Sequence, residues 1–546
     1  MNTKIFKIED PAQNTQALTE AASILRSGGI VAFPTETVYG LGGNALDPAA
    51  AAKIFRAKGR PQDNPLIVHI SALSELEVLC HDVPDEAYAL ASAYWPGPLT
   101  MILPKNECIP DETTAGLDTA GIRMPSHPVA RALIAACGVP IAAPSANLSG
   151  KPSTTSFAHV LRDMDGRVDA IIDGGTSEVG LESTVIEFDS GFARILRPGY
   201  ITKEDIEAVL GEGKCLIAPG VREHVADNER VRSPGMKYRH YAPQAPVLAV
   251  CGKTSDVARE IRRRTRGQTG CAAIVCDEYA HSLPCETIPC GKSDDVRAMA
   301  HKLFDALRTL DRPDVIKIYA QCPEETGIGL AVANRLKRAA AFRVVQARRL
   351  CVVGLTGPTG AGKSTVCDFF REKGARILDC DALYHKMLDT DEALLSAIRA
   401  SFPDAFPDGK LDRKALGKIV FADSEALALL NKTVLPIVAL RVEKEIDKAE
   451  EEGEAMLVLD APTLFESGLD RTCDLTVGVL AAKDTRIARI AARDGLSEEY
   501  ARLRVEGGKG DAYYRARCAE IVTNDGDPAA LAIQMDRINH TINIGR

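Results

Sequence analysis

With 546 residues, 45% of them hydrophobic and 26% charged, the chain has the make-up of a globular protein and the length for about three or four domains. Its 75 acidic residues outnumber 66 basic ones for a net charge of −9, which argues against a general nucleic-acid binder. The opening MNTKIFKIED has no apolar signal core, no stretch reaches membrane length, and the 15 cysteines are scattered, so a cytoplasmic protein with reduced thiols and no membrane partner is expected.

Residues up to about 205 alternate apolar strands (29–33, 140–143) with helices such as Pro48–Lys58, which Gly59 and Pro61 stop. Four polar clusters interrupt the strands. They are FPTETVYGLG with Thr35; FRAKGRPQDNPLIVHI with Lys58, Arg60 and His69; AGIRMPSHP with Arg123; and PIAAPSANLSG with Ser145 and Asn147. Any one of them caps a turn as readily as it binds a ligand. Together they set cations and neutral donors at strand ends, which suits an anion without identifying it.

A loop follows from about 211 to 246 and contains SPGMKYRHYAP. Strand candidates at 247–250, 272–275 and 315–319 then alternate with helices near 255–264, 293–310 and 328–340. This order implies a small parallel sheet with helices on its faces. Cys271, Cys276, Cys285 and Cys290, with His281 between them, are spaced more widely than a zinc knuckle and are expected to be plain thiols.

From 350 the pattern changes. The apolar run 350–355 leads into GPTGAGKST and a helix at 365–373, the context in which G-x-x-x-x-G-K-[ST] cradles phosphate. Backbone N–H groups of Gly357, Thr359, Gly360, Ala361 and Gly362 and the helix start at Thr365 would surround the phosphates. Lys363 would reach the β- and γ-phosphates and Ser364 would hold Mg²⁺. Strand 376–378 runs into Asp379 and Asp381 at the head of a helix, where either can cap the helix or accept a proton from an attacking hydroxyl. Strand 456–459 ends at Asp460, a second candidate for Mg²⁺. Arg486, Arg489, Arg493, Arg502 and Arg504 read as a solvated helix face or as a lid that closes over phosphate.

Over 350–546 the sequence resembles dephospho-coenzyme A kinase, in GLTGPTGAGKST, LDCDALYHKML, LDRKALGKIVF, LDAPTLFESGLD, RIARIAARDGLS and VTNDGD. The resemblance implies transfer of phosphate from Mg-ATP to the ribose 3′-hydroxyl of dephospho-coenzyme A. Asp381 would be the base, Arg493 a lid clamp, and Asn524 a neighbour of the nucleotide. Leu435 before Pro436, and Gly508, depart from the family pattern. The runner-up is a nucleoside monophosphate-type kinase.

Residues from about 5 to 205 resemble the threonylcarbamoyl-adenylate synthase family, in GIVAFPTETVYGLG, KGRPQDNPL, WPGPLT, GIRMPSHP, APSANLSG, ESTVIEFD and ILRPGYIT. SPGMKYRHYAP and the stretch to GIGLAVANRLKRAA resemble its longer two-domain form. The implied substrates are ATP, L-threonine and bicarbonate, giving an adenylate for tRNA modification by transfer partners. Direct tRNA binding is left open, and an RNA-binding module without synthesis is the alternative. The resemblance implies Lys58 and Arg60 on the triphosphate, and Ser145, Asn147 and Arg197 around the nucleotide. It implies Thr35, His69, Arg123 and Ser183 for threonine, with Lys237, Arg239, His240 and Tyr241 on a covering loop. The expected architecture is α/β throughout: a mixed α/β synthase-like domain (1–210), an interdomain loop (211–245), a small Rossmann-like domain (246–345), and a P-loop parallel-sheet kinase domain with a helical lid (350–546).

Overall fold

The computed structural model describes residues 2–62, 64–222 and 241–543. The chain divides into two units, Met1–Thr254 with Gln268–Gln346, and Ser255–Gly267 with Ala347–Arg546. The helix Thr254–Thr265, read above as part of the small domain, therefore falls in the second unit from Ser255 onward.

Among the described residues the first unit holds an eleven-stranded mixed sheet. Its central strands are buried on both faces, so they read as continuous apolar runs without alternation; Val31–Phe33 is one of them. The helix Pro48–Lys58 has the bounds its punctuation predicts. Asp47 accepts from the Ala49 N–H, Pro48 occupies the first turn, and Gly59 closes the helix with left-handed backbone. The hairpin Val31–Phe33/Gly40–Asn44 leaves residues 34–39 as a loop at the sheet's end, where Thr35, Glu36 and Thr37 are buried.

The loop expected from 211 contains a strand, Cys215–Ile217, which pairs in parallel with Phe192–Arg197. Three residues are too few for a period to register. Lys237, Arg239 and His240 of the expected covering loop lie outside the described residues.

The small sheet of the first unit has five parallel strands, in the order Glu286–Pro289, Cys271–Val275, Lys317–Gln321, Val247–Cys251, Val344–Gln346. The sequence marks the three central strands. The two edge strands are short and partly exposed, and no apolar run announces them. Among the described residues no group of three or more His, Cys, Asp or Glu is placed to hold a metal ion, and Cys276 and Cys290 are buried free thiols.

The second unit has a parallel five-stranded sheet in the order Arg376–Asp379, Met456–Asp460, Cys351–Thr356, Leu475–Leu480, Glu520–Thr523. In open parallel sheets the carboxyl ends of the strands are where ligands bind. Here those ends carry Asp379, Asp460, the glycine loop after Thr356, and Asn524. No described helix is long and apolar enough to cross a membrane.

Candidate active sites

The nine synthase candidates, Thr35, Lys58, Arg60, His69, Arg123, Ser145, Asn147, Ser183 and Arg197, line one cleft of the first unit. Lys58, at the end of its helix, points inward and is 3% exposed. Its Nζ donates to the carbonyls of Ser145 and Asn147, the latter at 2.6 Å. Burial, helped by Arg60, pushes its pKa well below the usual lysine value. Ser145 Oγ donates to Asn147 Oδ1, and Asn147 Nδ2 donates to the Leu148 and Lys151 carbonyls. The turn 145–151 is thus tied to the lysine at one side of the cleft.

The opposite wall is built from Arg197 and Ser183. Arg197 donates to the Ser183 carbonyl at 3.0 Å and to its Oγ at 3.0 Å, and Ser183 Oγ also meets Thr100 Oγ1 at 2.7 Å. Burial lowers the Arg197 pKa to about 10. Thr35 Oγ1 donates to the Val38 carbonyl at 2.5 Å and holds its own loop closed. His69, 3% exposed, has Nδ1 at 3.1 Å from the Ile67 carbonyl. Burial, and then Arg123, lower its pKa to about 3, so its imidazole is neutral at physiological pH. The unfolded chain binds a proton at this ring near 6.5 and the folded chain does not, so the histidine's support is complete above about 6.5 and lost as pH falls towards about 3. His69→Gln flattens that stretch of the acid-unfolding curve, as denaturant titrations at stepped pH would show.

Two carboxylates hold arginines at or beside the cleft, Glu182 within its lining and Glu36 behind Arg123, and the sequence singles out neither. Glu36 pairs with Arg123 Nη2 at 2.7 Å, both nearly inaccessible, while Arg123 Nε donates to the Gly97 carbonyl. Glu182 accepts from Ser153 and, at 2.9 Å, from Arg335 Nε of the small-sheet region. Arg335 lies over the Tyr241 ring at 5.8 Å. Glu36 and Glu182 sit inside quoted motifs. What the sequence does not display is that each faces a buried arginine far along the chain.

In the second unit, residues 357–362 form the glycine loop and Lys363 opens the helix Lys363–Glu372. Gly362 has φ +85°, and a side chain there would collide with the Asn524 amide. Asn524 Nδ2 donates to the Gly362 carbonyl at 3.2 Å. Asp379 caps its helix through the Ala382 N–H. Burial, and then Asp379, raise the Asp381 pKa, against which Lys363 pulls. Burial also raises the Asp460 pKa, again opposed by Lys363. Asp460 Oδ1 is buried with no hydrogen-bond partner among the described residues. Arg486 Nε donates to the Thr359 carbonyl at 3.0 Å, and Arg489 reaches the carbonyls of Gly360, Ala361 and Asn524. Arg493 instead faces solvent, paired with Asp494 at 2.8 Å.

Three family models match the chain in succession: "Telomere recombination" over residues 23–199, "Threonylcarbamoyl-AMP synthase, C-terminal domain" over 201–341, and "Dephospho-CoA kinase" over 351–529. A threonylcarbamoyl-AMP synthase of Pyrococcus abyssi is 47% identical over 335 residues, 60% of this chain and 94% of that protein. One of Bacillus subtilis is 46% identical over 63% of this chain and 100% of its own length. A dephospho-CoA kinase of Corynebacterium efficiens is 36% identical over 34% of this chain and 94% of its own length. The chain belongs to the threonylcarbamoyl-AMP synthase and dephospho-CoA kinase families, one after the other. Among solved structures, P. abyssi Sua5 complexed with L-threonine aligns with a TM-score of 0.58 at 44% identity, covering 64% of this chain and 100% of that one.

The synthase part leans on its small-sheet region through buried charge. Arg335 is 0% exposed and Glu182 6%, and Arg308 pairs with buried Asp163 at 2.8 Å. Removing one member strands the other. Arg335→Ala should therefore destabilise the first unit by about 3–5 kcal/mol, while Glu182→Gln, which keeps an acceptor, should cost less. Chemical denaturation of the two variants checks this order.

Proposed function

We propose that the cleft of the first unit makes L-threonylcarbamoyl-adenylate and that the glycine loop of the second phosphorylates dephospho-coenzyme A. The threonine nitrogen bonds the carbon of bicarbonate, and loss of water leaves a carbamate. Its oxygen attacks the α-phosphorus of ATP, and pyrophosphate leaves. Lys58 and Arg60 meet the triphosphate: the buried Lys58 ammonium, held by neutral carbonyls, can exchange those acceptors for phosphate oxygens without deforming the site, and the half-buried Arg60 lines the same cleft. Arg197, Ser145 and Asn147 hold the nucleotide. Thr35, Arg123, Ser183 and His69 hold threonine, with Glu36 fixing the plane of the Arg123 guanidinium, and Tyr241 belongs to the covering segment. A neutral His69 serves as a hydrogen-bonding group and not as a charge.

In the second unit, the residues at the strand ends fit Mg²⁺ on one observation, the unpartnered buried Oδ1 of Asp460. Asp460 and Ser364 would hold the ion, which supplies charge neutralisation on the phosphates. Lys363 and the N–H groups of the loop bind the phosphates, and Asp381 accepts the proton of the 3′-hydroxyl. Arg486, Arg489 and Asn524 keep the loop in shape, and Arg493 is the clamp that a closing lid would deliver. The raised Asp381 pKa sets the sign of the pH dependence. A base works only unprotonated, so the acid limb of the kinase rate should lie at higher pH than an ordinary carboxylate would give. Asp381→Asn should lower the rate roughly 100-fold or more and remove that limb, as ADP release followed across pH would show.

The convergence of Lys58, Arg123, Ser145 and Arg197 on one cleft carries the synthase reading. Its test is incorporation of labelled bicarbonate into a nucleotide product that requires both threonine and ATP. Incorporation without threonine, or none at all, contradicts it.

A further inference from the structure

The small sheet of the first unit sets four cysteines in a row. Its strands are parallel, with Val250 opposite Gln321, Ile274 opposite Ala320, and Val275 opposite Pro289. One or two residues further on, Cys290, Cys276, Cys322 and Cys251 stand level with one another at the carboxyl ends of four neighbouring strands. The Cys322 N–H donates to the Val250 carbonyl and the Cys290 N–H to the Val275 carbonyl, each at 2.9 Å, so the ladder continues up to the cysteines. Neighbouring strands lie about 4.8 Å apart, inside the roughly 4.4–6.8 Å that a disulfide spans between Cα atoms.

Two of the four thiols meet. Cys322 Sγ–H donates to Cys251 Sγ, and both residues are free thiols. Cys276 turns to the Gln321 side chain instead. The meeting pair is asymmetric: Cys251 is half-buried, whereas Cys322 is 3% exposed. The hydrogen bond from Cys322 lowers the Cys251 pKa from the usual thiol value, against burial and with help from Lys337, whose ammonium pairs with Glu325. The same bond, and then burial, raise Cys322. Burial pushes Cys276 up to about 11 and Cys290 up to about 12. Since the thiolate is the nucleophile, Cys251 is the reactive member of the row, and its neighbour is a thiol that only Cys251 and very small reagents can reach.

We propose that Cys251 and Cys322 form a peroxide-responsive dithiol, in which a hydroperoxide oxidises Cys251 and Cys322 closes a disulfide. The Cys251 thiolate attacks one peroxide oxygen, the O–O bond breaks, and the departing hydroxide takes up the thiol's proton to leave as water. Cys322 Sγ then attacks the sulfenic Sγ of Cys251. The S–O bond breaks, and a second water leaves with the Cys322 proton. Two thiols lose two electrons and one peroxide gains them. A reversible bridge of this kind is the form in which disulfides occur in a reducing compartment.

The test uses the full chain, reduced, desalted, treated with a few equivalents of hydrogen peroxide and quenched with N-ethylmaleimide. The intact mass should show one disulfide per chain, and a non-reducing peptide map should join the peptides of Cys251 and Cys322. Cys276 and Cys290 should stay alkylated, and dithiothreitol should restore all the thiols. Cys322→Ser should stop the reaction at a sulfenic acid on Cys251, trapped by dimedone. Cys251→Ser should slow peroxide consumption roughly tenfold or more. Neither serine should alter threonine-dependent pyrophosphate release, which reports that both variants fold. A disulfide joining any other pair, oxidation of Cys251 in the unaltered chain without linkage to Cys322, reaction of exposed Cys108 ahead of Cys251, or undiminished peroxide consumption by Cys251→Ser would each overturn the proposal.

Discussion

Lys58→Ala should lower threonine-dependent pyrophosphate release by roughly 100- to 1,000-fold, the scale on which a preorganised charged donor acts, and leave ADP formation from dephospho-coenzyme A unchanged. Two effects add. The variant loses a buried cation from the phosphate side of the cleft, and it frees the carbonyls of Ser145 and Asn147, which the ammonium now holds. Lys58→Arg separates them. A guanidinium keeps the charge but is planar and larger than the ammonium that the two carbonyls enclose, so partial recovery would assign the remainder of the loss to the geometry of the turn. Steady-state rates at saturating ATP and threonine distinguish the two variants.

Lys363→Ala should have the converse effect. Transfer to dephospho-coenzyme A should fall roughly 100- to 1,000-fold or more, with synthase turnover intact. Lys363 sits at the first turn of its helix and its charge opposes the raised pKa values of both Asp381 and Asp460. Without it the two carboxyls lose their nearest compensating cation, and their pKa values should rise further. The acid limb of any residual kinase activity should accordingly shift to higher pH. A fall in rate with no shift of that limb would mean that Lys363 acts on the phosphates alone.

The sequence makes the residues of both sites legible to different degrees, and for physical reasons. The glycine loop is readable because its demands are local: Gly362 takes left-handed backbone at φ +85°, and the helix must start at once. The synthase cleft is readable only as four separated clusters. Its residues come from Thr35 to Arg197, and no local rule says that they meet. Glu36 and Glu182 escape notice because an acidic residue in a loop reads as solvated, whereas here each is buried against an arginine that only the fold brings near. Arg335 lies in the helix near 328–340, where nothing in the sequence sets it apart from its basic neighbours, yet it is fully buried. Among the arginines of the second unit, the sequence favours Arg493, while Arg486 and Arg489 are the ones that hold the loop. One helix face carries all three at similar spacing, and spacing alone does not say which turn lies over the phosphates. The edge strands Glu286–Pro289 and Val344–Gln346 went unmarked because half-exposed strands of three or four residues carry no period.

The central claim is that one chain runs two chemistries at two sites. A product assay on the intact chain with Mg-ATP tests it most directly, one reaction receiving dephospho-coenzyme A and the other threonine with bicarbonate, each scored for ADP and pyrophosphate. ADP only in the first and pyrophosphate only in the second is the expected result. Neither product above the ATP-only background in either reaction, or pyrophosphate release indifferent to threonine, would contradict it.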